Sequence, residues 1–289
     1  MLKALIKTMR PRQWTKNGFI FFGLIFDKQL FLVQPFLRTL EGFALFCLVS
    51  SAVYLFNDIA DVEADRNHPE KQFRPIASGK LPISIALTAA LLLTFIAIPL
   101  GYLLSPIFAL ILTIYLTINL LYSRWLKHVS ILDVLIISSG FVLRVAAGVA
   151  LITVERFSPW LYMITVLFSL YIGFGKRRAE MSLLALGASS HRKVFEGYTI
   201  PLLDQYITIV SGMTIVAYSL YTFSAPNLPA NHTMMLTIPF VVYGIFRYLQ
   251  LIQTGHAAGA PDEVALKDRP LQVTVLLWGL AVIAVFYLS

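Results

Sequence analysis

The sequence predicts an all-α integral membrane protein, with nine transmembrane helices in a single bundle. Three observations predict it. Of 289 residues, 58% are hydrophobic and only 13% are charged, against about 25% charged in a soluble domain. The apolar residues fall into successive runs close to the roughly 20 residues that cross a bilayer. The Lys and Arg residues crowd into alternate connecting segments. Scaling domain number by length does not apply to such a chain, and residues 1–289 read as a single polytopic membrane domain.

In chain order the spans are expected near 17–35, 38–58, 82–103, 106–123, 131–152, 159–175, 199–223, 233–252 and 270–288. The first is interrupted by Asp27, Lys28 and Gln29. The second runs directly into the acidic stretch that begins at Asn57. The fifth carries Asp133 and Arg144 inside its apolar run. Trp14, Trp125 and Trp160 sit near span ends, where amphipathic rings suit the membrane interface.

Segments 1–16, 59–81, 124–130, 176–198 and 253–269 carry five, four, two, five and two Lys or Arg, while the alternate loops hold only Lys28, Arg38 and Arg156. This bias predicts a cytoplasmic N-terminus and a C-terminus on the far side. It also accounts for most of the net charge of +8. No basic array with interleaved aromatics lies outside the spans, which argues against a nucleic-acid partner. The lone Cys47 forms no intrachain disulfide. The basic N-terminus leads into an apolar stretch without a small-residue cleavage site, so no secretory signal is expected. There is no clear internal repeat, linker or second domain. The far-side loop at 224–232 (SAPNLPANH) reads as a plain turn. Oligomeric state is left open, and a homo-oligomer is compatible with the sequence.

The motif-rich loops are all expected on the cytoplasmic side. Asp58, Asp61 and Asp65 are spaced i, i+3, i+7, which on a helix falls within roughly 60°. Three carboxylates on one stripe repel each other unless a cation sits among them. Hard oxygen ligands suit Mg²⁺, which keeps several waters and is usually shared with substrate phosphates. Asn57 offers an amide oxygen. His68-Pro69 favours ending the helix, and Lys71, Arg74 and Lys80 follow in the loop, placed to hold anionic oxygens. The bland alternative is a solvated acidic helix end with basic topology residues; the regular spacing, the membrane edge and the adjoining basic loop weigh against it.

The stretch "NDIADVEAD" (57–65) resembles the N-D-x-x-D-x-x-x-D motif of the UbiA-type superfamily of intramembrane prenyltransferases. Within it, the chain is most similar to the decaprenyl-phosphate phosphoribosyltransferase branch. The segments that carry the resemblance are RPRQWTKN (10–17), SAVYLFNDIADVEADRNHPEKQFRPIASG (51–79), LKHVSILDV (126–134), GKRRAE (175–180) and DEVALKDRPLQ (262–272). The resemblance implies a nine-helix UbiA-like bundle with a central cavity open to the cytoplasm. It also implies Mg²⁺ held at Asp58, Asp61 and Asp65, which bind a diphosphate.

Aromatic prenyltransferases of this superfamily carry a second D-x-x-x-D motif after the sixth helix. The matching stretch here, GKRRAEMSLLALGASSHRKVFEGY (175–198), contains no Asp; its acids are Glu180 and Glu196. Lys176, Arg177 and Arg178 stand where a second metal site is expected. Cations bind phosphate directly, and Arg offers a forked donor array. One metal cluster plus a cationic pocket suits phosphoribosyl diphosphate as donor and a polyprenyl phosphate as acceptor. The acceptor phosphate is already anionic near neutral pH and needs no general base, in keeping with a sequence that offers no Ser–His–Asp or Cys–His arrangement. From the family alone, such a product feeds arabinose-containing cell-envelope lipids.

Other candidates join this set. Lys16 and Asn17 continue from the N-terminal basic run, with Arg10, Arg12 and Gln13, into apolar sequence and are expected to face a polar cavity; Lys3 and Lys7 read as membrane-side anchors. Arg144 lies deep in a span, where a charge costs a few kcal/mol or more and usually faces a paired or water-filled interior. Asp133 and Gly140 share its helical face. Tyr115, Asn119 and Tyr122 form a stripe in which only Asn119 and Tyr122 draw attention. Lys127 and His128 lie in a loop. Asp262, Glu263, Lys267, Asp268 and Arg269 form the last cytoplasmic loop.

The main rival is an aromatic prenyltransferase joining a prenyl diphosphate to an aromatic or quinone-precursor acceptor, disfavoured by 175–198. A CDP-alcohol phosphatidyltransferase needs Gly after its second Asp and an Ala-Arg pair, but Val62 follows Asp61 here. A transporter keeps its carboxylates nearer the midplane and its helices broken in paired halves.

Overall fold

In a computed structural model the chain is all helical. Residues 1–154, 159–185, 193–225, 228–254 and 267–288 are described. The helices are α1 (Leu2–Met9), α2 (Phe21–Phe26), α3 (Val33–Ala60), α4 (Val62–Arg66), α5 (Ile83–Leu104), α6 (Pro106–Arg124), α7 (Leu132–Val149), α8 (Pro159–Ala185), α9 (Ile200–Ser224), α10 (Ile238–Gln253) and α11 (Arg269–Leu288). Seven described helical stretches are long and apolar enough to cross a membrane: α3, α5, α6, α7, α9, the run Thr233–Gln253 that ends in α10, and α11.

Two of the nine expected spans look different. Residues 17–35 do not form one helix. A 3-10 segment, Pro11–Ile20, passes into the six-residue α2, and α3 starts only at Val33. The polar Asp27-Lys28-Gln29 interruption falls at the break, where Lys28 adopts a left-handed φ of 59°. The helix at the sixth expected span, by contrast, runs ten residues past the expected end at 175. Lys176, Arg177, Arg178 and Glu180 therefore lie on α8 and not in a loop.

The chain forms two compact units. The first comprises Met1–Lys127 and Leu143–Glu155. In it α3 packs against α5 and α6. Phe46, Val49, Phe108, Leu112, Tyr115, Ala147 and Leu151 make one apolar cluster, and Ala52, Leu55, Ile76, Leu81, Ala86 and Ala90 make a second. Ser105 caps α6, accepting from the Phe108 N–H, with Pro106 at the first helical position. Close approach also needs glycine. A Cβ on Gly148 would lie 1.8 Å from the Ile20 carbonyl oxygen, so the 3-10 segment packs there only against a bare backbone.

The second unit comprises His128–Val142 and Arg156–Ser289. Here α8 packs on α9, and α10 on α11, around Val134, Tyr171, Phe174, Phe195, Leu203, Ile207, Ile245, Tyr248 and Leu271. Thr199 caps α9 by accepting from the Leu202 N–H at 3.2 Å.

Candidate active site

The acidic motif lies where α3 gives way to α4. Asp61 caps α3, its N–H donating to the Asn57 carbonyl, and its own carbonyl accepts from the Asp65 N–H at 2.8 Å. The helical path is thus nearly continuous, but the carboxylates diverge. Asp58 and Asp65 are buried and share one guanidinium, with Arg74 Nη1 3.3 Å from Asp58 Oδ1 and 2.7 Å from Asp65 Oδ2. Asp61 turns to Lys127, whose Nζ lies 2.6 Å from Oδ1. The three aspartates of the expected stripe thus have different partners in this structure. As they stand, no three carboxylate, imidazole or thiol side chains among the described residues are arranged to hold a metal ion.

Arg74 is held by its loop. Ile76 and Leu81 are buried in the second apolar cluster, the Leu81 N–H donates to the Pro75 carbonyl at 2.9 Å, and Gly79 supplies the φ of 75° that turns the chain back. Lys71 is half-buried on the short 3-10 turn Lys71–Phe73, while Lys80 is exposed. Asn57 Oδ1 is buried and has no hydrogen-bond partner among the described residues. A buried acceptor without a donor is costly, which marks this atom as a place for a ligand.

The N-terminal run adds a residue that the sequence did not single out. Arg10 Nη2 lies 2.6 Å from Asp58 Oδ1, and its guanidinium sits 4.7 Å from the centroid of the Tyr54 ring. Arg10 adopts a left-handed φ of 53° at the end of α1, a conformation that costs an L-residue roughly 1–2 kcal/mol. The Ser51 hydroxyl accepts from Trp14 Nε1 at 3.0 Å and has the Cys47 carbonyl at 2.8 Å and the Met9 carbonyl at 3.2 Å within donating reach, so one serine of α3 lies against both flanks of Arg10.

Deeper in the first unit, Arg144 Nε donates to Asn17 Oδ1 at 2.8 Å and Nη2 to the Tyr115 hydroxyl at 2.9 Å. The guanidinium also lies over the rings of Phe46 and Tyr115. The Asn17 amide donates in turn to Cys47 Sγ and Ser50 Oγ, each at 3.2 Å. Asn17 and Arg144 were expected to be polar and inward-facing, and both are buried. Tyr115, set aside in the sequence as a packing residue, is an acceptor for the guanidinium. Asn119, singled out there, bonds only locally to the Tyr115 carbonyl. Lys16 is half-buried on the 3-10 segment.

In the second unit the basic run KRR meets carboxylates. Arg177 is 3% exposed, with Nε 2.5 Å from Asp133 Oδ2 and Nη1 2.6 Å from Glu180 Oε2. Arg178 pairs with Asp204 at 2.7 Å and donates to the Ile252 carbonyl. Of the three cations expected to grip phosphate, Arg177 and Arg178 are paired with acids of their own unit. Glu180 enters as a counter-charge to Arg177. Lys176 is half-buried beside them on α8. The Tyr198 hydroxyl donates to Asp133 Oδ1 at 2.8 Å and accepts from the Ile131 N–H. Burial pushes the Tyr198 phenol up from its usual range, the Ile131 N–H opposes this, and the Asp133 carboxylate reinforces it. It stays a neutral donor. Ile131 is β-branched with a φ of 69°, a strained backbone that the Tyr198 bond helps hold.

Asp268 of the last loop pairs with Arg247 at 2.8 Å and accepts from the Leu271 N–H, capping α11. Asp262 and Glu263 lie outside the described residues.

Residues 19–267 match the UbiA prenyltransferase family. The chain is 35% identical to the decaprenyl-phosphate phosphoribosyltransferase of Mycolicibacterium smegmatis, over all of this chain and 94% of that protein. It is also 35% identical to the protein of the same name from Corynebacterium glutamicum, over 99% and 87% of the two chains. Among solved structures, a UbiA homolog from Archaeoglobus fulgidus bound to DMAPP and Mg²⁺ superposes with a TM-score of 0.73 at 14% identity, over 99% of this chain and 100% of that one.

Proposed function

The chain belongs to the UbiA prenyltransferase family, and on that premise we propose that it transfers the 5-phosphoribosyl group of phosphoribosyl diphosphate to a polyprenyl phosphate of the decaprenyl type, releasing diphosphate. The observation that carries this reading is the pairing of a complete first acidic motif, at Asp58, Asp61 and Asp65, with a stretch at 175–198 that contains no Asp. The full-length relatives named for this reaction support it. We read the chain as one polytopic domain of nine spans, N-terminus in the cytoplasm, with the acidic motif on the cytoplasmic side of a central cavity. The lysine and arginine bias supports that orientation.

The donor set fits Mg²⁺ by its chemistry: three carboxylates and the orphaned Asn57 amide oxygen are hard oxygen ligands. Asp58, Asp61 and Asp65 would hold the ion. When bound there, Mg²⁺ supplies neutralisation of the charge that builds on a leaving diphosphate. Arg74, Lys127 and Lys71 lie at the same carboxylates or in the same loop and donate to diphosphate oxygens. In the reaction the bond from ribose C1 to the diphosphate oxygen breaks as a lipid phosphate oxygen bonds to C1. The acceptor is an anion, so no side chain has to remove a proton, and in-line attack inverts C1. We assign Asn17, Arg144 and Lys16 to the acceptor phosphate and Lys176 to a phosphate of either substrate. Arg177, Arg178 and Glu180 position their helix.

The test offers the purified chain two pairs of substrates. Radiolabelled phosphoribosyl diphosphate with polyprenyl phosphate should yield a labelled lipid, and 4-hydroxybenzoate with a prenyl diphosphate should yield no product. The reverse pattern overturns the assignment in favour of an aromatic prenyltransferase.

A further inference from the structure

Asp58, Asp61 and Asp65 each have a cation of the protein's own. Arg10 and Arg74 serve Asp58, Arg74 serves Asp65, and Lys127 serves Asp61. Asp58 and Asp65 have only 4% of their side chains exposed, and a buried carboxylate without a counter-charge is strongly disfavoured. Each of these carboxylates is thus neutralised from within the chain.

We propose that these internal cations make the site reject a divalent ion on its own and accept it together with a diphosphate, and that Arg10 is the residue that sets this coupling. The inference rests on the metal and diphosphate assignment above. A metal ion arriving alone must take Asp58 from Arg10 and Arg74 and Asp65 from Arg74. It breaks short charge-assisted hydrogen bonds and leaves two guanidinium groups beside a dication, with repulsion in a poorly solvated place. A diphosphate removes that penalty. Its oxygens accept from the guanidinium groups that the carboxylates release, in the forked geometry that Arg favours. Metal and diphosphate thus bind as partners, each raising the affinity for the other by the same factor.

Arg10 is built for such an exchange. Its guanidinium touches Asp58 on one side and lies against the Tyr54 ring on the other. Tyr54 is one helical turn before Asp58 on α3. When Asp58 turns to the metal, the ring face still attracts the cation and keeps it at the diphosphate. Its flanking residues Met9 and Trp14 both lie within hydrogen-bond distance of Ser51. The exchange is a side-chain movement only. Arg10 is accordingly a positioning and specificity residue: it favours donors that bring a diphosphate.

The test measures binding and not turnover. Mn²⁺ binding to the purified full-length chain is followed by electron paramagnetic resonance, with and without inorganic diphosphate. For the wild type, diphosphate should tighten Mn²⁺ by about tenfold or more, within the usual range of coupling between sites. In Arg10→Gln, Mn²⁺ alone should bind several-fold tighter and the effect of diphosphate should shrink; Arg10→Lys should restore most of the coupling. Equal Mn²⁺ affinity in wild type and Arg10→Gln, with unchanged coupling, overturns the proposal. If Arg10→Gln does not fold, the wild type decides alone: Mn²⁺ affinity that diphosphate leaves unchanged is fatal to the idea. Coupling that follows Arg10 in a chain that transfers no phosphoribosyl group would refute the assigned reaction and leave this inference standing. Transfer without coupling would do the opposite.

Discussion

Arg144 donates to the amide oxygen of Asn17 across 127 residues of sequence, at 2.8 Å, with both side chains buried. The same guanidinium reaches the Tyr115 hydroxyl, so three elements of the first unit meet on one cation. Replacing Arg144 by Leu leaves two buried acceptors without this donor and should destabilise the chain by about 2 kcal/mol or more. Asn17→Ala and Tyr115→Phe should each cost about 1 kcal/mol. A double-mutant cycle on Asn17 and Arg144, read by thermal unfolding in detergent, should return a coupling of at least about 0.5 kcal/mol.

Asp133 and Arg177 are the most buried ion pair among the described residues, at 0% and 3% exposure. Removing one partner strands a charge, so Asp133→Leu or Arg177→Met alone should cost about 3–5 kcal/mol. The double variant should recover part of that loss, because two apolar side chains need no counter-charge while Glu180 and the Tyr198 hydroxyl each lose a partner. If the pair instead grips a substrate phosphate directly, the double variant recovers stability but loses binding of a phosphate-bearing ligand, which calorimetry distinguishes.

Asp58→Asn and Asp65→Asn should each lower turnover by about 100-fold or more, the scale of losing electrostatic stabilisation of a leaving group, while the chain stays folded. Glu63 is the control. It lies in the same motif but is exposed and pairs with Arg66, and Glu63→Gln should leave turnover unchanged. Near-normal rates in both aspartate variants contradict the assigned role.

Asp268 predicts a pH effect. Its hydrogen bond to Arg247 holds the carboxyl below its usual range. A depressed folded value adds stability that is fully present above the unfolded value of about 3.9 and is lost as pH falls through the folded value. Unfolding followed from pH 6 downward, about two units above that value, should therefore show a steeper acid loss for the wild type than for Asp268→Asn.

Spans read well where apolar runs are long: α5 and α6 begin and end within a residue or two of expectation. The first span did not, because a 3-10 segment up to Ile20 and a left-handed Lys28 in the Asp27-Lys28-Gln29 break divide it into short pieces, and composition alone does not register a backbone turn. The end of α8 was also misjudged. A run of cations resembles a loop in the sequence, yet Arg177 continues the helix because Asp133, 44 residues earlier, neutralises it in the interior. Of the site, the acidic motif was legible from its spacing. Its division into an Asp58–Asp65 pair on Arg74 and a separate Asp61 on Lys127 was not. That division depends on the cap at Asp61 and on a loop anchored by Ile76 and Leu81. Arg10 gave a weak signal, as one of several basic residues in RPRQWTKN, with nothing to separate it from a membrane anchor.

The central claim is a single acidic centre faced by the chain's own cations. Counting divalent ions in a structure or titration of the chain with phosphoribosyl diphosphate bound tests it most directly. One ion, held by Asp58, Asp61 and Asp65, is the expected result. Two ions, the second held by residues that follow α8, would contradict it.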